Sequence, residues 1–374
     1  MIKDKKYVNI IEFEEEAKNH LNQNSYQYYR SGATSEHTLK SNIEDFSKIL
    51  LNPYVCSGLT DIDISTTILG HKINIPVAIA PTAMNKMAHD LGELNLVRAA
   101  SKKGTIYTQS TLSTTSMEDV SKEVDNSLRF FQLYVSKNRN FTFEIVKNAE
   151  KLNYKAIVLT VDAPWLGIRD ADERNNFSLP KNLKLEILEK YSDQMKVQSE
   201  NNQGSGLLQL FAKQIEQNLK WDDVKWLQSI TKLPIILKGI QNGEDALKAA
   251  RLGAHIWVSN HGGRQLDTVR STINILPEVM ESIKDYKNKV EVYVDGGIRR
   301  GTDVIKCLAL GAKCVFVGRP TIYANASEGE QGILKMFDIF EKEIKNGMML
   351  LGTGKVEDLG LKHLIKHTIA RSNL

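Results

Sequence analysis

The sequence predicts an α/β protein of the (β/α)8 TIM-barrel class. Eight short apolar runs rich in Val and Ile each lead into a polar loop and then into a segment of helical character. Most are separated by about 20 to 35 residues, the size of one βα unit. Continuous apolar strands are typical of a parallel sheet buried on both faces, and eight such units indicate a closed barrel. The predicted strands are Pro76–Ala80, Gly104–Thr108, Arg129–Tyr134, Ala156–Thr160, Pro234–Lys238, His255–Ser259, Val292–Asp295 and Cys314–Val317.

A helical segment is predicted before the first strand. Apolar residues recur there at helical spacing, at Ile10, Phe13, Ala17 and Leu21. The stretch Ser41–Leu51 continues this pattern. We therefore expect a single domain, with N-terminal helices over about residues 1–70 and the barrel over about 71–374. A doubly wound dinucleotide-binding sheet is disfavoured, because no G-x-G-x-x-G follows the first strand.

A long loop is predicted after the fourth strand. The chain from Thr160 to Pro234 is too long for one βα connection, and its centre, Ser199–Gly206, is polar and contains glycine. Long insertions in compact domains are commonly lids or disordered segments. We expect a mobile lid over about residues 180–215, above the carboxyl ends of the strands.

Composition argues against nucleic-acid and membrane partners. The net charge is only +4, which favours neither nucleic acid nor an anionic membrane surface. No apolar run approaches the roughly 20 residues that cross a bilayer, and Met1–Glu16 lacks the apolar core of a secretory signal. No metal site is expected, because Cys56, Cys307 and Cys314 lack metal-site spacing and are expected to be reduced.

Polar side chains follow nearly every predicted strand, at the barrel end where active sites of this fold lie. Each has a simpler explanation when taken alone, since a single lysine is commonly solvated and a single aspartate before a helix is commonly an N-cap. Their recurrence at successive strand ends predicts an active site. The reactive side chains in this set include Tyr134, Asp162, Lys238, His261, Arg264, Arg299 and Arg319.

Two glycine-rich loops carry specific chemistry. Gly296 and Gly297 allow backbone N–H groups to approach an anion beside Arg299, and barrels often bind phosphate at the loops after the seventh and eighth strands. In the loop after the sixth strand, His261 can take a proton near neutral pH. Arg264, three residues later, can grip a carboxylate with its planar fork.

Four motifs at these positions resemble the FMN-dependent 2-hydroxy acid oxidase and dehydrogenase family, the group of glycolate oxidase, the animal hydroxyacid oxidases, lactate oxidase and mandelate dehydrogenase. They are APTAM (Ala80–Met84), FFQLYV (Phe130–Val135), SNHGGRQLD (Ser259–Asp267) and VDGGIRRGTDV (Val294–Val304). The resemblance runs from about Tyr7 to the end. It implies FMN as cofactor, a small 2-hydroxy acid as substrate, and O2 as acceptor with hydrogen peroxide as product. The alternative acceptor is a quinone or a protein.

The resemblance implies a role for each matching residue. His261 would take the proton of the substrate, Asp162 would stabilise the protonated imidazole, and Tyr134 would bond the substrate hydroxyl or developing keto oxygen. Lys238 would sit beside the flavin N1–O2 edge. The cofactor would be held by Ala80, Pro81, Thr82, Ala83, Ser110, Gln132, Thr160, Lys238, Ser259, Asp295, Gly296, Gly297, Arg299, Gly318 and Arg319.

The substrate pocket is implied in the same way. Arg264 and Arg169 would hold the carboxylate with help from Tyr28, and His261 and Tyr134 would face the reacting carbon. Leu112 stands where the short-chain glycolate enzymes carry Trp, and Trp165 lies near the lid, so both are expected to border the substrate. Leu112 puts a strict preference for glycolate in doubt.

Two functions of other classes remain open at this stage. A non-redox flavin barrel, such as the FMN-dependent isopentenyl diphosphate isomerase, should lack the His261–Arg264 pair. A flavin-binding scaffold without activity is opposed by the intact set of polar residues. The family resemblance implies a homotetramer. The terminal Ser372-Asn373-Leu374 resembles the Ser-Lys-Leu peroxisomal address, so we expect recognition by the import receptor in a eukaryote, and a cytoplasmic location otherwise.

Overall fold

The computed structural model describes residues 7–191 and 214–366. Its strands are β1 Ile49–Leu51, β2 Thr66–Ile68, β3 His71–Ile73, β4 Val77–Ile79, β5 Tyr107–Gln109, β6 Arg129–Leu133, β7 Ala156–Thr160, β8 Ile235–Ile240, β9 His255–Val258, β10 Val292–Asp295, β11 Cys314–Val317 and β12 Leu364–Lys366. Its helices are α1 Ile11–His20, α2 Gln23–Arg30, α3 His37–Glu44, α4 Glu93–Lys103, α5 Met117–Glu123, α6 Arg139–Lys151, α7 Asp170–Arg174, α8 Glu186–Tyr191, α9 Trp221–Ile230, α10 Gly243–Arg251, α11 Thr272–Ser282, α12 Gly301–Ala309 and α13 Arg319–Leu351.

Strands β4 to β11 form a closed parallel barrel, and they correspond to the eight predicted runs. Each pairs with the next in chain order, and β11 closes the barrel on β4 through Val315 and Val77. Strands β6 and β7 are buried along their whole length, which explains why β7 is apolar from Ala156 to Leu159 rather than alternating. The two polar residues of β6, Arg129 and Gln132, are buried with hydrogen-bond partners. The predicted barrel class is confirmed.

Bulky aromatic side chains fill the barrel interior. Trp257 and Phe316 lie with ring centres 3.9 Å apart, and Tyr293 packs edge-on against both. The β2–β3 hairpin covers the amino end of the barrel, where the Leu69 N–H donates to the Glu291 carboxylate. Only the carboxyl end is therefore left for a site.

The N-terminal segment is less helical than its sequence predicts. Helix α3 ends at Glu44, a 3-10 turn follows over Asp45–Lys48, and β1 then pairs antiparallel with β12. The predicted helix over Ser41–Leu51 is therefore wrong from Ile49 onward. The cause is tertiary, since the strand that pairs with β1 comes from the other end of the chain.

Two predicted features lie outside the described residues. They are the centre of the lid, Ser199–Gly206, and the terminal Ser372-Asn373-Leu374. In the described part of the chain, no helix is long and apolar enough to cross a membrane.

Candidate active site

A cavity with about 1290 Å³ of empty volume, part of it open to solvent, lies at the carboxyl ends of the barrel strands. Tyr28 and Tyr29 of the N-terminal segment complete its wall. Of the residues predicted to form the site, all except Asp162, Ser259 and Trp165 line this cavity. One space therefore collects side chains from every barrel strand end.

His261 and Asp162 form a pair at one side of the cavity, in which the imidazole is 26% exposed and the carboxylate is buried. Nδ1 of His261 lies 3.0 Å from Oδ1 of Asp162, whose side chain is 2% exposed. Burial lowers the pKa of His261 below its ordinary value, an effect that Asp162 opposes and Lys238 reinforces. Burial alone raises the pKa of Asp162, but His261 and Lys238 hold it below its ordinary range.

The protonation of this pair follows from these directions. At neutral pH the carboxylate is charged and the imidazole is neutral, so Nδ1–H donates to Asp162. Nε2, across the ring, is then the proton acceptor. The second oxygen of Asp162, Oδ2, is buried with no hydrogen-bond partner in the described part of the chain, which makes its charge more available to stabilise a protonated His261.

The backbone that carries His261 is left-handed. His261 has φ of 59°, and Gly262 and Gly263 follow with φ of 63° and 74°. The His261 N–H donates to Oγ of Ser259 at 3.1 Å, and the Gly263 N–H donates to Oδ1 of Asn260 at 3.2 Å. A non-glycine residue in this region is strained, and such strain is found at functional sites.

Two guanidinium groups flank Tyr28 at the substrate side. The guanidinium carbons of Arg264 and Arg169 lie 4.8 and 5.6 Å from the centre of the Tyr28 ring. Arg264 Nη1 donates to the carbonyls of Tyr28 at 2.6 Å and Ser31 at 2.9 Å. Burial, helped by the charge of Arg169, lowers the pKa of Arg264 to about 9, so the group is still charged at neutral pH. Two cations on one wall have the charge that suits a carboxylate, and Nε of Arg169 also lies 2.9 Å from Oδ2 of Asp172.

Lys238 places a buried cation in the cavity wall. Its Nζ lies 3.1 Å from Oγ of Ser259 and 3.5 Å from Oδ2 of Asp295. Ser259 in turn donates to Oδ1 of Asp295 at 2.8 Å, and Trp257 Nε1 donates to Oδ2 at 3.0 Å. Ser259 is fully buried behind Lys238 rather than on the wall, so the structure places it as a support for Lys238.

Three amide and hydroxyl groups bridge the ends of β5, β6 and β7. Gln132 Nε2 donates to Oγ1 of Thr160 at 2.9 Å, and Gln132 Oε1 accepts from Oγ of Ser110 at 3.2 Å. The bridge presents a continuous polar strip to the cavity. Leu112 lies beside it, buried and on the wall.

A glycine cradle forms the other end of the cavity. Gly296 and Gly297 have φ of 101° and 82°, and a Cβ atom on Gly297 would lie 1.8 Å from the backbone oxygen of Asn42. Helix α13 begins at Arg319, directly after Gly318. The backbone N–H groups of this turn and the Arg299 side chain provide the donors expected for a phosphate.

Arg319 is already engaged by protein groups. Its Nε donates to the carbonyl of Tyr29 at 2.8 Å, Nη1 to that of Gly262 at 2.9 Å, and Nη2 to that of Ser31 at 2.9 Å. Arg319 therefore joins the His261 loop to the N-terminal segment. The guanidinium of Arg319 has further N–H groups that do not bond these carbonyls, and the predicted contact with phosphate would have to use them.

Trp165 does not line the cavity. Its side chain is 71% exposed, and its carbonyl accepts a hydrogen bond from Gln265 Nε2 at 2.8 Å. The loop turns this indole outward, so the structure does not bring Trp165 to the substrate side as predicted. Conversely, several wall residues were not predicted from the sequence. Besides Gln265, they have mostly apolar side chains that give no chemical signal, and they include Tyr29, Leu166, Phe316, Pro320 and Ile322. Only Gln265 had a signal, its position next to Arg264.

The cavity fits FMN. Gly296, Gly297, Arg299 and Gly318 line one end of the cavity beside the start of helix α13, where backbone N–H groups suit a phosphate, and Lys238 supplies a buried positive charge beside a polar strip. Among residues 7–191 and 214–366, no group of three or more His, Cys, Asp or Glu side chains could hold a metal ion. The barrel and this site define a flavin mononucleotide-binding protein.

Comparison with known proteins assigns the family. The chain belongs to the FMN-dependent dehydrogenase family, whose model matches residues 17–366. It is 46% identical over 357 residues to glycolate oxidase 3 of Arabidopsis thaliana, covering 95% of each chain. It is 43% identical over 365 residues to 2-hydroxyacid oxidase 1 of Homo sapiens, covering 97% of this chain and 96% of that one. A solved structure of an (S)-mandelate dehydrogenase chimera is similar with a TM-score of 0.87 at 29% identity, covering 96% of this chain and 99% of that chain.

Proposed function

We propose that this chain uses FMN to oxidise a small 2-hydroxy acid to the 2-oxo acid, with O2 reduced to hydrogen peroxide. The observation that carries the proposal is one cavity in which a neutral histidine beside a buried aspartate shares its wall with two arginines and a buried lysine. A 2-hydroxy acid needs these groups together, because its carboxylate lies next to the carbon that is oxidised.

The residues of the chain divide the work. Arg264 and Arg169 bind and orient the carboxylate. His261 Nε2 takes the hydroxyl proton, and Asp162 stabilises the resulting imidazolium. Burial raises the pKa of Tyr134 above its ordinary value, so its phenol stays protonated and can donate to the substrate oxygen.

The cofactor supplies the redox chemistry. When bound, FMN would supply the two-electron acceptor for the hydride that leaves the α-carbon. The cradle at Gly296 and Gly297, with Arg299, would hold its phosphate. Lys238 places a fixed positive charge that favours negative charge on the cofactor.

The proposal also names the electron acceptor, O2. Two relatives at 46% and 43% identity are named as oxidases, which favours O2. The family name and the similar (S)-mandelate dehydrogenase motivate the alternative, a quinone or protein acceptor.

An assay of peroxide release tests the choice. The purified protein is given glycolate, lactate, and medium-chain and long-chain 2-hydroxy acids in air. Peroxide formed in equal amount to the 2-oxo acid supports an oxidase. Product that forms only after a quinone or dye is added identifies a dehydrogenase, and release of FAD rather than FMN from the denatured protein would contradict the cofactor assignment.

We also propose a homotetramer and, in a eukaryote, import into peroxisomes through Ser372-Asn373-Leu374. The support is the family resemblance and the terminal tripeptide. Light scattering tests the first. A fluorescent protein carrying residues 365–374, with and without Leu374, tests the second, because a diffuse signal from both versions would contradict an import role.

A further inference from the structure

The loop between β7 and α7 carries two residues of the site without regular structure of its own. It runs from Thr160 to Asp170 with no helix or strand between them. Asp162 lies at its start and Arg169 at its end. A loop of this kind keeps a fixed geometry only if contacts from outside hold it.

Gln265 provides those contacts from the neighbouring His261 loop. Its Nε2 donates to the carbonyls of Asp162 at 3.0 Å and Trp165 at 2.8 Å, and its Oε1 accepts from the Gly167 N–H at 3.1 Å. The partners fix the orientation of the amide, because a flipped group would point its oxygen at two carbonyl oxygens. One side chain thus spans the whole loop.

The two loops also touch through their backbones. A Cβ atom on Gly167 would lie 2.3 Å from the carbonyl oxygen of Arg264 and 2.7 Å from Cα of Gln265. On its other side, Asp162 packs on Gly239, where a Cβ atom would lie 2.6 Å from Cγ of the aspartate. Asp162 is held between these contacts, so a small movement of the loop changes its distance from His261.

We propose that Gln265 is a positioning residue that sets the contact between Asp162 and His261 and the placement of Arg169 by binding one loop to the other. This proposal rests on the proposed function for the reaction that the pair performs. The positioning itself can be measured without any substrate.

Loss of the Gln265 contacts is expected to shift the pKa of His261 in one direction. The charged groups that act on His261 are Asp162 on the loop after β7, Lys238 on β8 and Arg264 on its own loop. Asp162 alone raises the pKa of His261, whereas the two cations lower it. If Asp162 moves away, burial, which is the largest effect, and the two cations lower the pKa of His261 unopposed, so His261 titrates at lower pH.

The main variant is Gln265→Leu, which keeps the approximate side-chain volume and removes all three hydrogen bonds. Gln228→Leu is the matched control, because Gln228 Nε2 donates to the carbonyl of Leu252 at 2.9 Å, on the outer helices. Two quantities are measured on the oxidised, FMN-loaded protein. They are the titration of His261 by NMR with ¹⁵N-labelled histidine, assigned with His261→Gln, and the anaerobic rate of flavin reduction.

We expect the Gln265→Leu protein to titrate His261 at lower pH and to reduce its flavin at least about tenfold more slowly, since small misplacements of a reacting group can cost about 10²-fold. The control should match the wild type in both. An unchanged titration in Gln265→Leu overturns the proposal, even if the protein melts at a lower temperature. If that variant does not fold, Gln265→Asn decides in the same way, because its amide is one methylene too short for the three contacts.

The two proposals fail separately. Wild-type protein whose flavin no 2-hydroxy acid reduces contradicts the proposed function. A wild-type titration midpoint in the Gln265 variants contradicts only the positioning role.

Discussion

At the scale of single residues, the proposed proton transfer depends on a buried carboxylate that lacks part of its hydrogen bonding. Asp162 is buried, yet its Oδ2 has no hydrogen-bond partner among the described residues, and its Oδ1 lies 3.0 Å from Nδ1 of His261. A buried, half-satisfied carboxylate is costly for folding. In the proposed reaction this cost is offset, because the imidazole beside the carboxylate gains a proton.

Replacing His261 by Gln tests this account of proton transfer. Gln can still donate to Asp162, and the phosphate cradle is untouched, so FMN should stay bound. Flavin reduction by substrate in anaerobic stopped flow should slow by at least about 10²-fold, the usual scale of a lost general base. His255→Gln is a suitable control, because His255 lies at the start of β9, at the far end of the barrel. A wild-type reduction rate in His261→Gln would remove this residue from the mechanism.

Leu112 sets the expected size of the substrate. It lines the cavity at a position where the glycolate enzymes are expected to carry Trp, so more space is left beside the substrate. We expect kcat/KM to be higher for 2-hydroxybutyrate than for glycolate, because each buried methylene contributes about 1 kcal/mol or more. Leu112→Trp should reverse the order. A wild-type preference for glycolate would show that other wall residues fill the space.

At the scale of elements, helix α3 is part of the site's framework. Asn42 and Asn260 exchange amide hydrogen bonds of 2.9 and 2.8 Å, and Asp267 accepts from the Thr38 N–H at 2.8 Å. The same helix presses its Asn42 carbonyl against Gly297. Through α3, the loop that carries His261 and the loop that carries Gly297 share one support.

Asp267→Asn tests the docking of α3. Burial alone raises the pKa of Asp267, but hydrogen bonds from Thr38, Thr34 and His37 lower it well below its ordinary value. A lowered folded-state pKa stabilises the protein above the unfolded pKa of about 3.9, and this stability is lost as pH falls through the folded pKa. We expect Asn to reduce the free energy of unfolding by about 1–2 kcal/mol at pH 7. The difference should shrink toward pH 3.

Urea unfolding at several pH values measures this effect. Asp222→Asn is the control, since Asp222 is exposed and forms a surface ion pair with Lys225. A loss of stability in Asp267→Asn that is the same at pH 7 and pH 3 would contradict the role of the charge.

Gly297→Ala tests the cradle. The positive φ alone costs about 1–2 kcal/mol for a non-glycine residue, and the new Cβ would also collide with the Asn42 carbonyl. Gly253→Ala is the matched control, because Gly253 has φ of 70° and no atom within 4 Å of the added Cβ. We expect both variants to melt at lower temperature, and only Gly297→Ala to bind FMN more weakly in a fluorescence titration. Equal FMN affinity in the two would argue against the cradle.

The strands and loops also show which features of the fold the sequence could predict. The barrel strands were predicted correctly because each carries its own apolar run, bounded by polar loops. Strand β1 was missed because its pairing partner is β12, and no local pattern reports that contact. The bonds of Gln265 and Asn42 were missed for the same reason, since each joins residues far apart in the chain.

At the scale of the whole molecule, the cavity exists because the eight strands close into a barrel. Eight strand ends and the Tyr28 segment surround one cavity, and a hairpin covers the opposite end of the barrel. The motifs predicted which side chains would meet, because parallel strands bring their carboxyl ends together. They did not predict the outward turn of Trp165 or the engagement of Arg319 by three carbonyls, which depend on how the loops fold over the mouth.

The most direct test of the central claim is an anaerobic titration of the purified protein with an (S)-2-hydroxy acid, followed by the flavin absorbance. The cavity chemistry predicts that the yellow colour is lost in proportion to the acid added, with one 2-oxo acid formed per flavin reduced. A flavin that stays oxidised with glycolate, lactate and longer 2-hydroxy acids, but is bleached by a chemical reductant, would contradict the claim.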